Sequence, residues 1–393
     1  MTMRPRHLNL RGKPSSKPLA LYDKWLMAAV LGLVIIGLMM VASSSVMVST
    51  KFYHQPFHFL IRQACYLFAG FVVSLIVLRI DSSIWEKYSM PLLIVCLVLL
   101  VLVLVPGIGR VVNGSRRWIS LGFVGIQVSE ITKLIMVFYL AGYLVRHRET
   151  VRSSIFGFIR PMVVLAIVAA LLLAEPDFGA TVVISGTVMA MLFLAGVRFR
   201  YYLTLLIMVG CALAFLAVSS PYRMARLTAF LDPWADQFNS GYQLTQSLIA
   251  FGRGGWMGVG LGDSIQKLFY LPEAHTDFLF AVVAEELGLI GIFVVLMLYS
   301  ILVARGLLIG YYAYTQERFF SAFVAYGLTF WLGLQAIINM GVNSGLLPTK
   351  GLTLPLLSYG GASVIINCVV IALILRIDHE NRWQALGLRT PSH

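Results

Sequence analysis

The chain has 393 residues, of which 59% are hydrophobic and only 12% charged, with a mean hydropathy of +0.85. Soluble domains carry about 25% charged residues, so these figures exclude an ordinary water-soluble domain and predict an all-α integral membrane protein. The formal net charge of +13 invites a nucleic-acid reading. The basic residues are scattered over loops and one tail, however, so membrane topology explains them better and no nucleic acid is expected as a partner.

Residues 1–20 form a basic tail in which Arg4, Arg6, Arg11, Lys13 and Lys17 stand among Pro5, Pro14 and Pro18. It lacks the small-residue cleavage pattern of a signal peptide, which predicts a retained cytoplasmic tail. About ten spans follow, at roughly 24–44, 61–80, 90–106, 128–145, 160–175, 178–197, 201–219, 277–304, 319–341 and 358–376, each near the ~20 residues that cross about 30 Å of hydrocarbon. Residues 21–376 thus form one polytopic bundle of ten transmembrane helices, and 377–393 a second cytoplasmic tail. Cys65, Cys96, Cys211 and Cys368 sit in apolar runs without paired spacing and read as small core hydrophobes.

With the N-terminus inside, most Lys and Arg fall in cytoplasmic segments. The short loops are sharpest: Arg198 and Arg200 close one turn, while the outer turn Glu175–Asp177 has no basic residue. Both termini therefore face the cytoplasm. The same count places a long loop, about 220–276 between the seventh and eighth spans, outside. It carries Pro221, Pro233, Trp234, Trp256 and a glycine run from Gly252 to Gly262, and loops this long in a compact bundle are usually functional.

Where this loop re-enters the membrane stands Asp277, followed on the same helix by Glu285 and Glu286. An ionised Asp at the bilayer centre costs roughly 2.5–3.5 kcal/mol on insertion scales, so such residues have a partner or a task. Asp277 fits two roles equally well. It suits a helix N-cap, and it suits a general base at the mouth of a hydrophobic bundle, where partial desolvation raises a carboxylate toward the working range. Glu285 lies about 80° around the helix from Asp277 and two turns deeper, either on the same cavity or as a buried structural partner; Glu286 points toward a neighbouring helix.

Glu130 and Lys133 are i,i+3 neighbours expected to neutralise each other, the alternative being that Lys133 meets a ligand anion. Just upstream, Arg116-Arg117-Trp118 reads as a basic-aromatic segment at the outer interface. Glu175-Pro176-Asp177 is a tight outer turn with more acid than a turn requires; a cation or sugar contact and a solvated turn are equally open. From Asn339 to Ser363 the chain is too apolar for a solvated loop and too broken by Pro, Gly, Ser and Thr for a helix. Such backbone is tolerated in a membrane only where it is buried in protein or lines a cavity. Within it Lys350, among hydroxyls and glycine amides, is the foremost outer-face candidate for binding phosphate oxygens.

Three groups of residues then carry a resemblance: Leu271-Pro-Glu-Ala-His-Thr-Asp-Phe278 with Ala284-Glu-Glu-Leu-Gly288, Gly241-Tyr-Gln243 with Gln246-Ser247, and Leu347-Pro-Thr-Lys-Gly-Leu-Thr-Leu-Pro355 with Ser358-Tyr-Gly-Gly361. Over about residues 20 to 380 the chain resembles the SEDS family (shape, elongation, division and sporulation). Asp232-Pro-Trp234 places it nearer the division branch than the elongation branch. The resemblance implies a ten-helix polymerase of peptidoglycan glycan strands in the bacterial inner membrane at the division septum. It also implies lipid II as substrate, and a class B penicillin-binding transpeptidase and other division proteins as partners.

Asp277 matches the family's essential acidic residue. It would take the proton from the acceptor sugar's 4-hydroxyl as that oxygen attacks the donor's anomeric carbon and undecaprenyl pyrophosphate leaves. Lys350 first, then Arg116, Arg117 or Arg253, would meet the leaving charge. Lys133, Gln243, Ser247, Glu285 and Ser358 are further candidates for pyrophosphate or sugar. A divalent cation held by Asp277 or a nearby acid would share that work, and the lack of a His/Cys ligand cluster fits a Mg-like ion rather than zinc. Two positions depart from the family pattern: Val128 stands in place of the usual proline before Ser129-Glu130, and Glu175 where Gln is frequent. A lipid II flippase using Glu130, Lys133 and Glu285 is the alternative, and a pure scaffold the third reading; elaborate loops on one face only favour the polymerase.

Overall fold

The computed structural model describes residues 22–112, 115–121, 124–219, 224, 228–349 and 351–387. The tail 1–20, Pro221 and Lys350 lie outside the described residues. In chain order the elements are α1 (Lys24–Tyr53), α2 (His58–Val77), α3 (Ser82–Leu104), β1 (Gly109–Val112), β2 (Ser115–Leu121), β3 (Val124–Gln127), α4 (Val128–Arg146), α5 (Arg148–Ser153), α6 (Ile155–Ala174), α7 (Phe178–Leu194), α8 (Phe199–Val218), α9 (Tyr242–Gly254), α10 (Leu279–Thr315), α11 (Phe319–Asn343) and α12 (Gly361–Ala385). Among the described residues eight helices are long and apolar enough to cross a membrane, and the apolar stretches of α7 and α8 are shorter. The expected spans fall on these ten helices.

Several helices outrun the apolar stretch that predicts them, because their charged ends find partners. Asp23 accepts from Leu26 N at 2.8 Å and so caps α1; it also pairs with Arg305, late in α10. Arg382 holds Asp378 at 2.8 Å within α12. Arg318, Arg376, Asp81 and Glu380 close a second network among α3, α11 and α12. As a result α10 runs to Thr315 and α12 to Ala385, past the expected ends near 304 and 376.

Burial orders the bundle. The apolar windows of α4, α11 and α12 are mostly buried, whereas α1, α2, α3, α6 and α10 turn most of theirs outward, presenting side chains such as Phe68, Ile94 and Phe293. Large exposed apolar faces of this kind belong against lipid. The helical bundle also gains what the sequence reading did not anticipate: a three-stranded antiparallel sheet, β1-β2-β3, at the start of α4. Trp118 pairs with Gln127 across β2 and β3, and a bulge sits between Arg110 and Val111.

The expected outer loop 220–276 is itself partly helical, through α9 and a π-helical turn at Gln266–Tyr270. It is stitched into α10, which breaks at Gly288 (φ 64°, ψ −161°). The carbonyls of Glu285 and Glu286 accept from Val259 N at 2.9 Å and Gly260 N at 3.2 Å, and the amides of Leu289 and Ile290 donate to Gly255 O and Trp256 O at 3.0 and 3.3 Å. The break thereby loses no backbone partner. Side chains repeat the tie. Glu285 is fully buried and accepts from Arg253 (3.0 Å), Ser264, Ile265 N (3.1 Å) and Gln266 N (3.3 Å). Glu286 accepts from Lys267 at 2.7 Å and from Ser43 of α1 at 2.6 Å, the neighbouring-helix contact that its angular position predicts. The glycines permit the close approach: a Cβ at Gly258 would collide with the Glu286 carbonyl, and one at Gly254 with that of Ala284.

Gly258→Ala, at φ 80° and against that carbonyl, should therefore lower stability by about 2 kcal/mol or more. Gly252→Ala, two residues before Gly254 on α9 and with open space around it, should be neutral or stabilise by about 0.5–1 kcal/mol. Thermal unfolding of the detergent-purified variants measures both, and equal melting temperatures would contradict the stitched loop.

Candidate active site

A cavity of about 360 Å³ opens where the sheet, the starts of α4 and α7, the turn before α10 and the irregular chain before α12 meet. The irregular chain is buried, so its backbone needs partners, and long side chains supply them. Asn339 Nδ2 donates to Leu352 O at 2.5 Å, Gln335 Nε2 to Thr353 O at 2.9 Å, Tyr299 Oη to Pro355 O at 2.5 Å and Gln63 Nε2 to Ser358 O at 3.2 Å. Leu352, Leu354, Leu356 and Leu357 are buried beneath. An aromatic wall joins this chain to the turn before α10: the His275 ring lies 4.6 Å from Phe59 and 5.7 Å from Tyr359, and Tyr359 N donates to His275 O at 3.0 Å. Burial holds the His275 imidazole below its ordinary value, so the ring favours its neutral form.

Asp277 is half-buried on this cavity. Its carbonyl accepts from Asn339 Nδ2 at 2.8 Å and Asn343 Nδ2 at 3.0 Å. The N-cap position of α10 belongs to Phe278 rather than Asp277, and the first-turn amide of Ala281 meets Asn343 Oδ1 at 3.1 Å. Gly351 passes so close that a Cβ there would stand 2.9 Å from Asp277 Oδ2. Lys350, its neighbour, lies outside the described residues.

Among the described residues the cation on the cavity wall is Arg117, a quarter exposed and 3.6 Å from Asp177. Asp177 is buried and multiply held, by Ser129 Oγ at 2.8 Å, Gln127 Nε2 at 3.4 Å and, as the cap of α7, by Ala180 N at 3.1 Å. Glu130 also faces the cavity, with one oxygen on Lys133 and the other, Oε2, without a partner. Among the described residues no three His, Cys, Asp or Glu side chains gather closely enough to hold a metal ion.

The other expected contacts are committed elsewhere. Lys133 is buried between Glu130 and Gln335, 2.8 Å from each, and lies over the Trp331 ring; through Gln335 it braces the Thr353 wall. Arg253 and Glu285 pair with each other at 3.0 Å, off the cavity wall. Arg116 Nη1 donates to Leu104 O at 3.1 Å. Ser247 Oγ donates to Asn343 O at 2.6 Å, and Ser358 Oγ accepts from Leu354 N at 3.0 Å. Gln243, half-buried on α9, is likewise absent from the cavity wall. Sequence reasoning missed the carboxamides. Gln335, Asn339 and Asn343 recur every four residues on the otherwise apolar α11, a polar stripe that only an internal task explains.

Glu175, in the turn before α7, is fully buried, and among the described residues neither carboxyl oxygen has a partner. Burial first, then the Asp177 charge, pushes it up to about 8, with Arg117 opposing. The folded chain therefore binds this proton more tightly than the unfolded chain, whose carboxyl titrates near 4.5. Its contribution to stability is full below 4.5 and is lost as pH rises toward about 8. Glu175→Gln should then raise the free energy of unfolding by an amount that grows between pH 5 and pH 8, by at most roughly 1.4 kcal/mol per pH unit, read from denaturation of the purified variants at each pH. A gain equal at both pH values would contradict the neutral buried acid.

The family profile of cell cycle proteins named for FtsW, RodA and SpoVE matches residues 24–383. A probable peptidoglycan glycosyltransferase FtsW from Legionella pneumophila is 77% identical over 99% of this chain and 98% of that one. Its namesake from Coxiella burnetii is 54% identical over 91% and 96%. Among solved structures, a chain from a peptidoglycan synthase complex that coordinates polymerization and crosslinking matches with a TM-score of 0.76 at 29% identity, over 93% of this chain and 100% of that one. The rod shape determining protein RodA of Thermus thermophilus matches with 0.68 at 28% identity, over 92% and 97%. Sequence and fold agree: this multi-pass membrane protein belongs to the FtsW/RodA/SpoVE family of cell cycle proteins.

Proposed function

We propose that the chain is a peptidoglycan glycosyltransferase that polymerises lipid II into glycan strands during septal wall synthesis, with Asp277 as general base. The observation that carries this reading is the placement of Asp277 on a 360 Å³ cavity that also presents Arg117 and the aromatic faces of Trp118 and Tyr359. An acid, a cation and stacking surfaces are what a lipid-linked sugar pyrophosphate requires. The acceptor's 4-hydroxyl attacks the donor's anomeric carbon, the new C–O bond replaces the bond to pyrophosphate, and undecaprenyl pyrophosphate departs. Asp277 receives the hydroxyl proton. Arg117, and Lys350 beside Gly351, meet the leaving charge.

The protein works in the bacterial inner membrane at the septum, with both termini cytoplasmic and a class B penicillin-binding transpeptidase beside it. Names of close relatives and the synthase-complex neighbour support this setting. The flippase alternative would need mobile intramembrane charges, yet Lys133 is committed to Glu130 and Gln335, and Glu285 to Arg253.

Reconstitution with the transpeptidase partner and labelled lipid II tests the reading. Asp277→Asn should lower glycan polymerisation by at least about 100-fold, the range of a lost general base. Arg117→Ala should weaken turnover by less. Normal polymerisation by Asp277→Asn defeats the assignment, and transbilayer movement without polymerisation by the unaltered protein would favour the flippase.

A further inference from the structure

We propose that Asn339 and Asn343 are positioning residues for Asp277, a clamp that fixes where its carboxylate stands on the cavity. The inference rests on Asp277 being the base. Both carboxamides donate to the same acceptor, the Asp277 carbonyl, at 2.8 and 3.0 Å. Each also anchors a different wall. Asn339 Nδ2 reaches Leu352 O at 2.5 Å, next to the Gly351 backbone that covers the carboxylate. Asn343 Oδ1 accepts from Ala281 N at 3.1 Å and so ends the first turn of α10. Asn343 is tied to Asn339 in turn, through Nδ2 to Asn339 O at 2.9 Å, and Ser247 holds its carbonyl from α9.

Both asparagines are almost wholly buried, so neither meets substrate itself. A carboxamide can donate and accept at once, and Asn343 uses both functions. Asp277, two residues before α10, is therefore held by its backbone from α11, while its side chain stands on the cavity. Small displacements of a reacting group cost large factors in rate, so loosening this carbonyl should be felt in turnover before it is felt in binding.

The test compares Asn339→Ala and Asn343→Ala with Asp277→Asn, each purified with its transpeptidase partner and checked for lipid II binding. The two asparagine variants should lose about ten-fold or more in kcat with KM for lipid II within about two-fold. The double variant should lose less than the product of the singles, because both hold one carbonyl. Where an alanine variant does not fold, Asn→Ser at the same position replaces it. In parallel, hydrogen exchange at the Ala281 amide should quicken in Asn343→Ala. Full kcat in both asparagine variants beside an inactive Asp277→Asn overturns the clamp alone. An active Asp277→Asn overturns the reading on which it rests, and a rise in KM with unchanged kcat makes the pair a binding wall instead.

Discussion

A peptide group taken out of water and left without a partner costs several kcal/mol in a hydrocarbon slab. Among the described residues this chain leaves regular geometry at the Gly288 break in α10 and again in the irregular stretch before α12 that borders Asp277. Each departure is made good by a different device. At Gly288 the loop from Gly255 to Gly260 exchanges backbone bonds with both sides of the break. Before α12 the side chains of Gln63, Tyr299, Gln335 and Asn339 supply the donors. The second of these stretches, together with the turn that carries Asp277, walls the cavity.

The buried charges follow the same logic. Isolated, each is costly; paired and hydrogen-bonded, each can be kept. Glu285 and Glu286 point to opposite partners and together fasten the loop and α1 to α10. Lys133 serves Glu130 on one side and Gln335 on the other, so its charge maintains the wall behind Thr353. Among the described residues, the groups facing the cavity include Asp277, Glu130 and Glu273, Arg117 beside Asp177, the polar Gln127, Thr276, Thr353 and Ser363, and the rings of Trp118, His275 and Tyr359. Architecture consumes most of the polar residues, and the few left over have the composition of a site for an anionic sugar.

Much of this was legible beforehand. Length and apolarity located the helices, and a carboxylate at a loop-to-helix junction marked Asp277. Periodicity alone turned Glu286 away from it. Three things were hidden for physical reasons. Helix ends at Thr315 and Ala385 depend on ion pairs between distant segments, which hydropathy does not register. The sheet at Gly109–Gln127 is short, and its alternation is blurred by Arg116 and Arg117 standing side by side. The commitment of Arg253 to Glu285 requires a loop folded back along α10, a long-range contact with no local signature. The Gln335, Asn339 and Asn343 stripe was visible in the spacing, but its target, the carbonyl of Asp277 for the last two, was not.

The central claim is that Asp277 acts in the chemistry while other residues maintain the architecture around it. Titration of labelled lipid II onto the Asp277→Asn protein, bound to its transpeptidase partner, separates the two most directly. The account predicts a Kd within about three-fold of the unaltered protein alongside abolished turnover, the signature of an interaction used only in the transition state. Loss of affinity in step with loss of turnover would contradict it, and would make Asp277 a binding or structural residue.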